Sequence, residues 1–524
     1  MSEQWIGARK KSLRLLGATA RSDGYLRESA DLLRAPREAQ ERMMEDTLSR
    51  VRRRALRSPA DADTRRAWER IGSLEDLTRA PCTSANTLPT MSPQPPDWSN
   101  WVADHHEVIA TAATGGSSAL SKVMPFAAWS LEHYAWSSVP HLAEATLARG
   151  VPAKRTALAL TAPRDYVTYL AIPPCFTSVG YDVVHVPLAA VLREADVARD
   201  LIDWLLEPGN DVHAISTVTA MLPMFLRALD GQPGGAEAIG RLQRTLRLLY
   251  IGGSELTPAL EATLATRLGL GAGACVNVFA STESGMVAAS RSDFAVFRPS
   301  LHTHALTILP LDEIEKADAD PGYTPRGALL TRAPVGLIGE LASTFDAAAP
   351  WINLRQGDVF EVVAPEAGSD VPRLRYQARM SSVHDVGGGR VWPASYQRAV
   401  QRLEGRVTDY LAMAMKPGDT TPEASGEVLV KDRLVLYYEG ESPFGEVARS
   451  ILETIPMLNT TGPKLGAGTF DMAVYQLEPG TLARCRQRKS AERGGAPGPL
   501  KHHVVRGPQY HVPPENVLSS GPGW

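Results

Sequence analysis

The run "ACVNVFASTESG", residues 274–285, decides how the rest of the chain is read. Its first half has the branched and aromatic texture of a β-strand. Its second half sets the hydroxyls of Ser281, Thr282 and Ser284 around one carboxylate, Glu283, at the strand's exposed end. Four runs of similar texture precede it: "TALALTAP" (156–163), "DVVHVPLA" (182–189), "HAISTVTA" (213–220) and "LRLLYIGG" (246–253). Helix-like segments follow several of them, such as "PALEATLATRLG" (258–269). Strand then helix, repeated, predicts parallel sheets covered by helices.

The flanks have other textures. Residues 28–57 carry Leu32, Leu33, Met43, Met44, Leu48, Val51 and Leu56 at helical spacing among charges, with Arg52–Arg54 read as a solvated helix face. "WERIGSLEDLTRAP" (68–81) predicts a short helix capped by Ser73 and stopped at Pro81. Between 326 and 364, "RGALLTRA" and "WINLRQGDVFEVVA" read as strands of a smaller β-rich unit. Beyond about residue 380, "GRVWPASYQRAVQRLEG", "EVLVKDRLVLYYEG" and "FDMAVYQLEPG" predict a small α+β domain. The last stretch is rich in Gly and Pro and is expected to pack poorly.

Composition narrows the function classes. A chain of 524 residues holds about two to three domains. A formal net charge of −3 gives no electrostatic case for nucleic-acid binding. The four cysteines, Cys82, Cys175, Cys275 and Cys485, are widely spaced and form no CxxC pair, so a reducing cytoplasm fits better than a disulfide framework. No apolar run approaches the ~18 residues of a membrane span, and no signal peptide is evident.

Four pieces at strand ends could carry chemistry. In "TAATGGSSALSK" (111–122), Gly115 and Gly116 let backbone amides turn inward while Thr114, Ser117 and Ser118 add hydroxyl donors, a loop able to wrap phosphate. In "LYIGGSEL" (249–256), Gly252 and Gly253 allow a flat ligand close to the backbone, next to Ser254. In the opening run, Phe279 could stack on a base, Thr282 could bond phosphate, and Glu283 could hold Mg²⁺, a hard cation that prefers oxygen ligands. In "LRQGDVFEV" (354–362) and "YQARMSSVHDVGGGRVWP" (376–393), Asp358 could accept ribose hydroxyls with Arg379 beside them. Taken singly, each piece is better explained as an ordinary turn, cap or surface charge.

Their order is more specific. A phosphate loop, a glycine pair, aromatic-x-S-T-E, G-D, then R…G…P resembles the adenylate-forming superfamily of acyl-CoA synthetases, luciferase-type ligases and adenylation domains, and most nearly its phenylacetate-CoA ligase branch. "SLEDLTRAP", "ATGGSS", "NVFASTE", "GRVWP" and "LEPGTLAR" (477–484) carry the likeness, over residues 38–490. The resemblance implies an α/β fold: a large N-terminal domain of parallel-rich sheets covered by helices with a β-rich subdomain, and a small mobile α+β C-terminal domain. The expected divisions are a helical N-terminal region of the large domain (1–100), the adenylation core (101–379), the small domain (380–490) and a Gly/Pro-rich tail (491–524).

It also implies an activity: ATP-dependent conversion of a carboxylic acid, aromatic by analogy, to an acyl-adenylate, then transfer to coenzyme A. Thr114, Gly115, Gly116, Ser117 and Ser118 would hold the β- and γ-phosphates. Gly252, Gly253 and Ser254 would border adenine, Phe279 would stack on it, and Asn277, Ala280 and Ser281 complete the nucleotide-side strand. Thr282 would touch the α-phosphate, Glu283 would bind Mg²⁺, and Asp358 and Arg379 would hold ribose. Cys175, Phe176, Thr217 and Thr219 would wall the acid pocket. The register of "LEPGTLAR" puts Arg488 at the catalytic-lysine position with Lys489 adjacent. Lys489 is preferred because Arg does not present a compact ammonium, with Lys464 and Lys501 as fallbacks. Ala119, Ser121, Ala280 and Ser382 depart from the family pattern. Some branch members hold zinc behind S-T-E; here only the histidines of "LHTH" (301–304) remain, and no zinc is expected. An amine, a carrier-protein thiol or nitrite as acceptor, or a catalytically quiet nucleotide-binding protein, are the alternatives. The expected partner is a small-molecule acid, with no nucleic acid and no membrane, and a homodimer would fit the resemblance.

Overall fold

The computed structural model describes residues 22–57, 62–84, 102, 107–113, 123–161, 167–218, 221–252, 264–271, 273–291, 296–320, 322–379, 384–386, 389–391, 393–416, 419, 429, 432–454, 470–492, 504–506 and 512–522. The chain divides into two compact units, Met1–Gln356 with Phe360–Tyr376, and Gly357–Val359 with Gln377–Trp524.

In the larger unit, β1 (Val108–Ala113) and β2 (Val123–Ala127) form an antiparallel pair. Then come β3 (Arg155–Thr161), β4 (Tyr181–Pro187), β5 (Ala214–Val218), β6 (Leu248–Gly252) and β7 (Cys275–Ser281). They are the five strand-like runs of the sequence, and they pair in parallel in the order β4-β3-β5-β6-β7. Helices such as Val167–Ser178, Ala195–Leu206 and Gly235–Thr245 make the crossovers. Alternation along each strand feeds two cores. Leu158, Ile215 and Ile251 point to one, and Ala157, Ala214 and Tyr250 to the other. Burial on both faces is why these strands read as continuous apolar runs.

After β7 the chain does not cross over. It turns back as β8 (Gly285–Ser290), and the sheet continues antiparallel. Further strands are β9 (Val296–Pro299), β10 (His304–Pro310), β11 (Ala328–Leu329), β12 (Ile338–Phe345), β13 (Leu354–Val363) and β14 (Arg373–Arg379). The result is one twelve-stranded sheet, β11-β10-β12-β13-β14-β9-β8-β7-β6-β5-β3-β4, so the expected β-rich unit is an extension of the parallel sheet. The helix Arg37–Ala55 lays Met44, Leu48 and Val51 on this antiparallel half, with Trp68, Leu74 and Leu77. Ser73 caps Leu74–Leu77 as expected, accepting from the amide of Asp76. The solvated face expected at Arg52–Arg54 holds only for Arg53: Arg52 donates to the Trp68 carbonyl, and the Arg54 guanidinium lies 3.4 Å from the Trp129 ring centre.

Gly252 shows what close strand packing demands. A Cβ there would sit 2.5 Å from Val278 Cγ2 and 3.0 Å from the Val278 carbonyl oxygen. Its missing side chain therefore admits the neighbouring strand. Gly252→Ala is expected to destabilise the protein by about 1–3 kcal/mol, the usual cost of overpacking, readable as a lower urea midpoint.

The smaller unit holds β15 (His384–Val386) and β16 (Gly389–Val391), paired antiparallel. It also holds β17 (Val407–Met415), β18 (Asp432–Gly440), β19 (Phe470–Leu477), β20 (Val504–Arg506) and β21 (Val517–Pro522), in the order β20-β17-β18-β19-β21. One face packs Leu434, Leu436 and Tyr438 with Tyr396 and Val447 of the helices Pro393–Gln401 and Phe444–Thr454. The other packs Leu411, Met413 and Val435 with Leu482 and Cys485 of the helix Thr481–Glu492. Both edge strands come from the stretch expected to be a loose tail. Short β-forming runs between its prolines find partners in the exposed edges of β17 and β19. Among the described residues, no helix is long and apolar enough to cross a membrane.

Candidate active site

The strand order places the first strand of the parallel set, β3, between β4 and β5. Ligands of such sheets bind beyond the carboxyl ends of the strands, where the order reverses. Val218, Gly252 and Val278 lie in one row of the ladder. Thr217, Gly252 and the run Phe279–Glu283 therefore share the carboxyl edge of the sheet. Thr217 is 8% exposed and its hydroxyl has no hydrogen-bond partner among the described residues.

At this edge, Thr282–Ser284 form the tip of the β7–β8 hairpin. Gly285 has φ 72°, a conformation other residues rarely adopt, and a Cβ there would press on Ser137 Oγ at 3.2 Å. The tip is seated from below by polar groups. Tyr134 donates to the Ser281 carbonyl at 2.7 Å, and the Met286 amide donates to Ser137 Oγ at 3.1 Å. Gln356 Nε2 reaches Ser281 Oγ and Ser284 Oγ, each at 2.6 Å. His304 Nε2 lies 2.5 Å from the Ser284 carbonyl. Glu283 is 8% exposed, and its carboxylate has no ion-pair partner among the described residues. Burial, with Cys175, Glu283 and Tyr250 nearby, raises the Tyr134 phenol well above its ordinary range.

A buried carboxylate without a cation fits a hard divalent ion. Among the described residues no cluster of three or more His, Cys, Asp or Glu could hold a metal on its own. One carboxylate completed by substrate phosphates is the usual way proteins take Mg²⁺, so Glu283 with Thr282 beside it suits that ion.

The other expected residues are placed unevenly. Asn277 is buried in β7 between β6 and β8, and Ala280 is exposed. Ser281 was expected on the nucleotide side. Its hydroxyl instead takes the Gln356 and Ser284 donors and shares a 2.9 Å bond with Ser284 Oγ, so it holds the turn. Phe279 is half-buried, edge-on to Phe360 at 5.0 Å and Phe297 at 6.3 Å, which leaves part of its ring accessible. Phe176 does not line an open pocket: it is 0% exposed, edge-on to Tyr181 and Tyr250 in the core. Cys175 is also enclosed, bonds to the Ala171 carbonyl, and has its thiol pushed up to about 12 by burial, which removes it as a nucleophile.

Asp358, Arg379 and Lys489 belong to the smaller unit. Asp358 follows Gly357 (φ 83°) in β13 and is 8% exposed, and Arg379 ends β14. Lys489 lies in the helix Thr481–Glu492. Glu439 accepts from the amides of Gly480 and Leu482 at that helix's start, and Arg486 pairs with Asp409, which together anchor the helix. Thr114, Gly115, Gly116, Ser117, Ser118, Thr219, Gly253, Ser254, Lys464 and Lys501 lie outside the described residues.

Sequence reasoning missed Tyr134, Ser137, Gln356 and His304. Of these, Gln356 stood in the motif of Asp358 and His304 in "LHTH", neither of them read as a support for the turn. The "LHTH" histidines have structural partners. His302 donates to the Trp136 carbonyl at 3.1 Å, and His304 stacks on Phe345 at 4.7 Å. Burial holds His302 down at about 3 and His141 well below its ordinary range. In the unfolded chain both titrate near 6.5. Between those values the unfolded state binds more protons, so stability is full above pH 6.5 and falls as the pH drops toward 3. Thermal denaturation at fixed ionic strength is expected to show Tm declining steadily below pH 6.5.

No protein-family profile matches the chain. No curated protein matches it either. The fold is that of the adenylate-forming enzymes. The acyl acid amido synthetase AtGH3.15, in complex with 2,4-DB, matches with a TM-score of 0.64 at 12% identity over 96% of this chain and 98% of that one. A 2-hydroxyisobutyryl-CoA ligase in a postadenylation state matches with a TM-score of 0.55 at 13% identity, over 84% of this chain and 86% of that one.

Proposed function

We propose that this protein activates a carboxylic acid with ATP as an acyl-adenylate, releasing pyrophosphate, and passes the acyl group to coenzyme A. The supporting observation is the seated hairpin tip, which offers a buried Glu283 with no ion-pair partner among the described residues at the carboxyl edge of a parallel sheet. In this reading the acid's carboxylate oxygen bonds to the α-phosphorus as the bond to the β-phosphate oxygen breaks. The thiol sulfur then attacks the acyl carbon and AMP leaves. Mg²⁺, when bound, neutralises charge on the phosphates. Glu283 holds that ion in place, and Thr282 donates to the α-phosphate. Thr114, Gly115, Gly116, Ser117 and Ser118 would cradle the outer phosphates. Phe279 offers its accessible ring to adenine, bordered by Gly252, Gly253 and Ser254. Asp358 would accept the ribose hydroxyls beside Arg379. Lys489 would supply a positive charge to the reacting oxygens. Thr217, with its unpartnered hydroxyl, and Thr219 remain on the acid side.

The acceptor is the point on which a second reading rests. The amido synthetase shares its fold with nearly the whole chain, which keeps an amine acceptor in play. The test is acid-dependent exchange of pyrophosphate into ATP across aromatic, amino-aromatic and aliphatic acids. Exchange with at least one acid is expected, and none across the panel overturns the proposal. Adding coenzyme A or amines to the responsive acid then separates thioester from amide formation.

A further inference from the structure

The hairpin tip is held by more bonds than a turn needs. Five residues from outside it converge on Ser281–Met286: Tyr134 and Ser137 from the helix Ala128–Ala148, His304 from the start of β10, Phe345 from the end of β12, and Gln356 from β13. His304 has two separate relations to this seat. Its ring stacks on Phe345 at 4.7 Å with the planes 22° apart. Its Nε2 lies 2.5 Å from the carbonyl of Ser284, the residue after Glu283. A carbonyl only accepts, and Nε2 has the shorter carbonyl contact, so Nε2 carries the proton; Nδ1 lies 2.9 Å from Thr303 Oγ1 and 3.1 Å from the Ser300 carbonyl. His304 is 0% exposed, so no water replaces that bond.

We infer that His304 is a positioning residue for the metal-binding carboxylate: its Nε2–H grips the Ser284 carbonyl, in the Ser284–Gly285 peptide, and so holds the turn residue that follows Glu283. The inference rests on the reading of Glu283 as the Mg²⁺ ligand. It extends that reading to a residue with no reach to the nucleotide. The grip works through one backbone atom of the neighbouring residue, so it steadies the turn that carries Glu283 without taking any of the carboxylate's ligand capacity. Groups that orient a ligand from outside are worth about 10–100-fold in metal affinity.

Two variants separate the grip from the packing. His304→Phe keeps an aromatic ring against Phe345 and loses the donor. His304→Gln keeps an amide donor and loses the stack. Isothermal titration calorimetry of ATP, with Mg²⁺ and then with EDTA, reads the gain in ATP affinity that Mg²⁺ confers. His304→Phe is expected to lose about tenfold or more of that gain, while its ATP affinity in EDTA stays near the parent's. His304→Gln is expected to retain most of the gain. Full retention by His304→Phe overturns the inference. So does equal loss in both variants with weakened binding in EDTA, the signature of a merely structural role. Glu283→Gln is the control for the parent reading. If it keeps the full gain, Glu283 is not the ligand and both ideas fall. If it loses the gain and His304→Phe does not, only the positioning role fails.

Discussion

Glu283→Gln is expected to lower acid-dependent pyrophosphate–ATP exchange by about 10²–10³-fold, the range seen when one preorganised electrostatic stabiliser is removed. The substitution keeps shape and removes charge. Glu283 forms no ion pair among the described residues, so its loss breaks no salt bridge in the fold. The seat also remains: Tyr134, Ser137, Gln356 and His304 bind Ser281, Ser284 and Met286, not the Glu283 side chain. Tm should therefore change little while turnover collapses, and raising Mg²⁺ should recover only part of the loss. A variant with undiminished exchange at every Mg²⁺ concentration would remove Glu283 from the site.

The parallel half of the fold was legible because its strands are buried on both faces. All five runs read as strands, and β3, β4, β5, β6 and β7 fall within one or two residues of them. The hairpin after β7 was not read, although its signal is present: a short polar turn, Gly285 where φ must be positive, then the β-leaning "GMVAAS". The C-terminal edge strands were hidden by composition, since prolines and glycines around "HHVVRG" and "ENVLSS" mask runs that gain strand character only by pairing with β17 and β19. For the site, the motif order pointed to Glu283 and Thr282 because their chemistry is local. The seat was invisible for the opposite reason: residues 134, 137, 304 and 356 meet the turn only through the tertiary fold. The part Ser281 plays in the turn was hidden by the same logic, its hydroxyl accepting from a partner 75 residues away.

The largest stability loss is expected from a residue no motif marks. Asp346 follows β12 and is 1% exposed. Its carboxylate meets Arg50 Nε at 3.0 Å, Arg54 Nη1, and His133 Nδ1 at 3.0 Å. It thereby joins the helix Arg37–Ala55, the helix Ala128–Ala148 and the end of the strand that carries Phe345. His133 adds little charge, because burial first and then Arg50 and Arg54 hold it down at about 4. Asp346→Ala removes the buried carboxylate that the Arg50 and Arg54 guanidinium groups share, while Asp46 stays near Arg50. Breaking a buried pair on one side costs about 3–5 kcal/mol. The arginine side chains are 34% and 23% exposed and relax partly into water, which favours the low end. A fall in Tm of about 6 °C is the expected reading by calorimetry. Asp346→Asn, which keeps the volume, should recover little of it, since the deficit is in charge. Phe345 stacks on His304 and adjoins Asp346, so the same variants should also loosen the hairpin seat. Reduced Mg²⁺-dependent ATP affinity in Asp346→Asn well below its Tm would show that loosening, and a Tm within 2 °C of the parent's (roughly 1 kcal/mol or less) would show that the cluster contributes little.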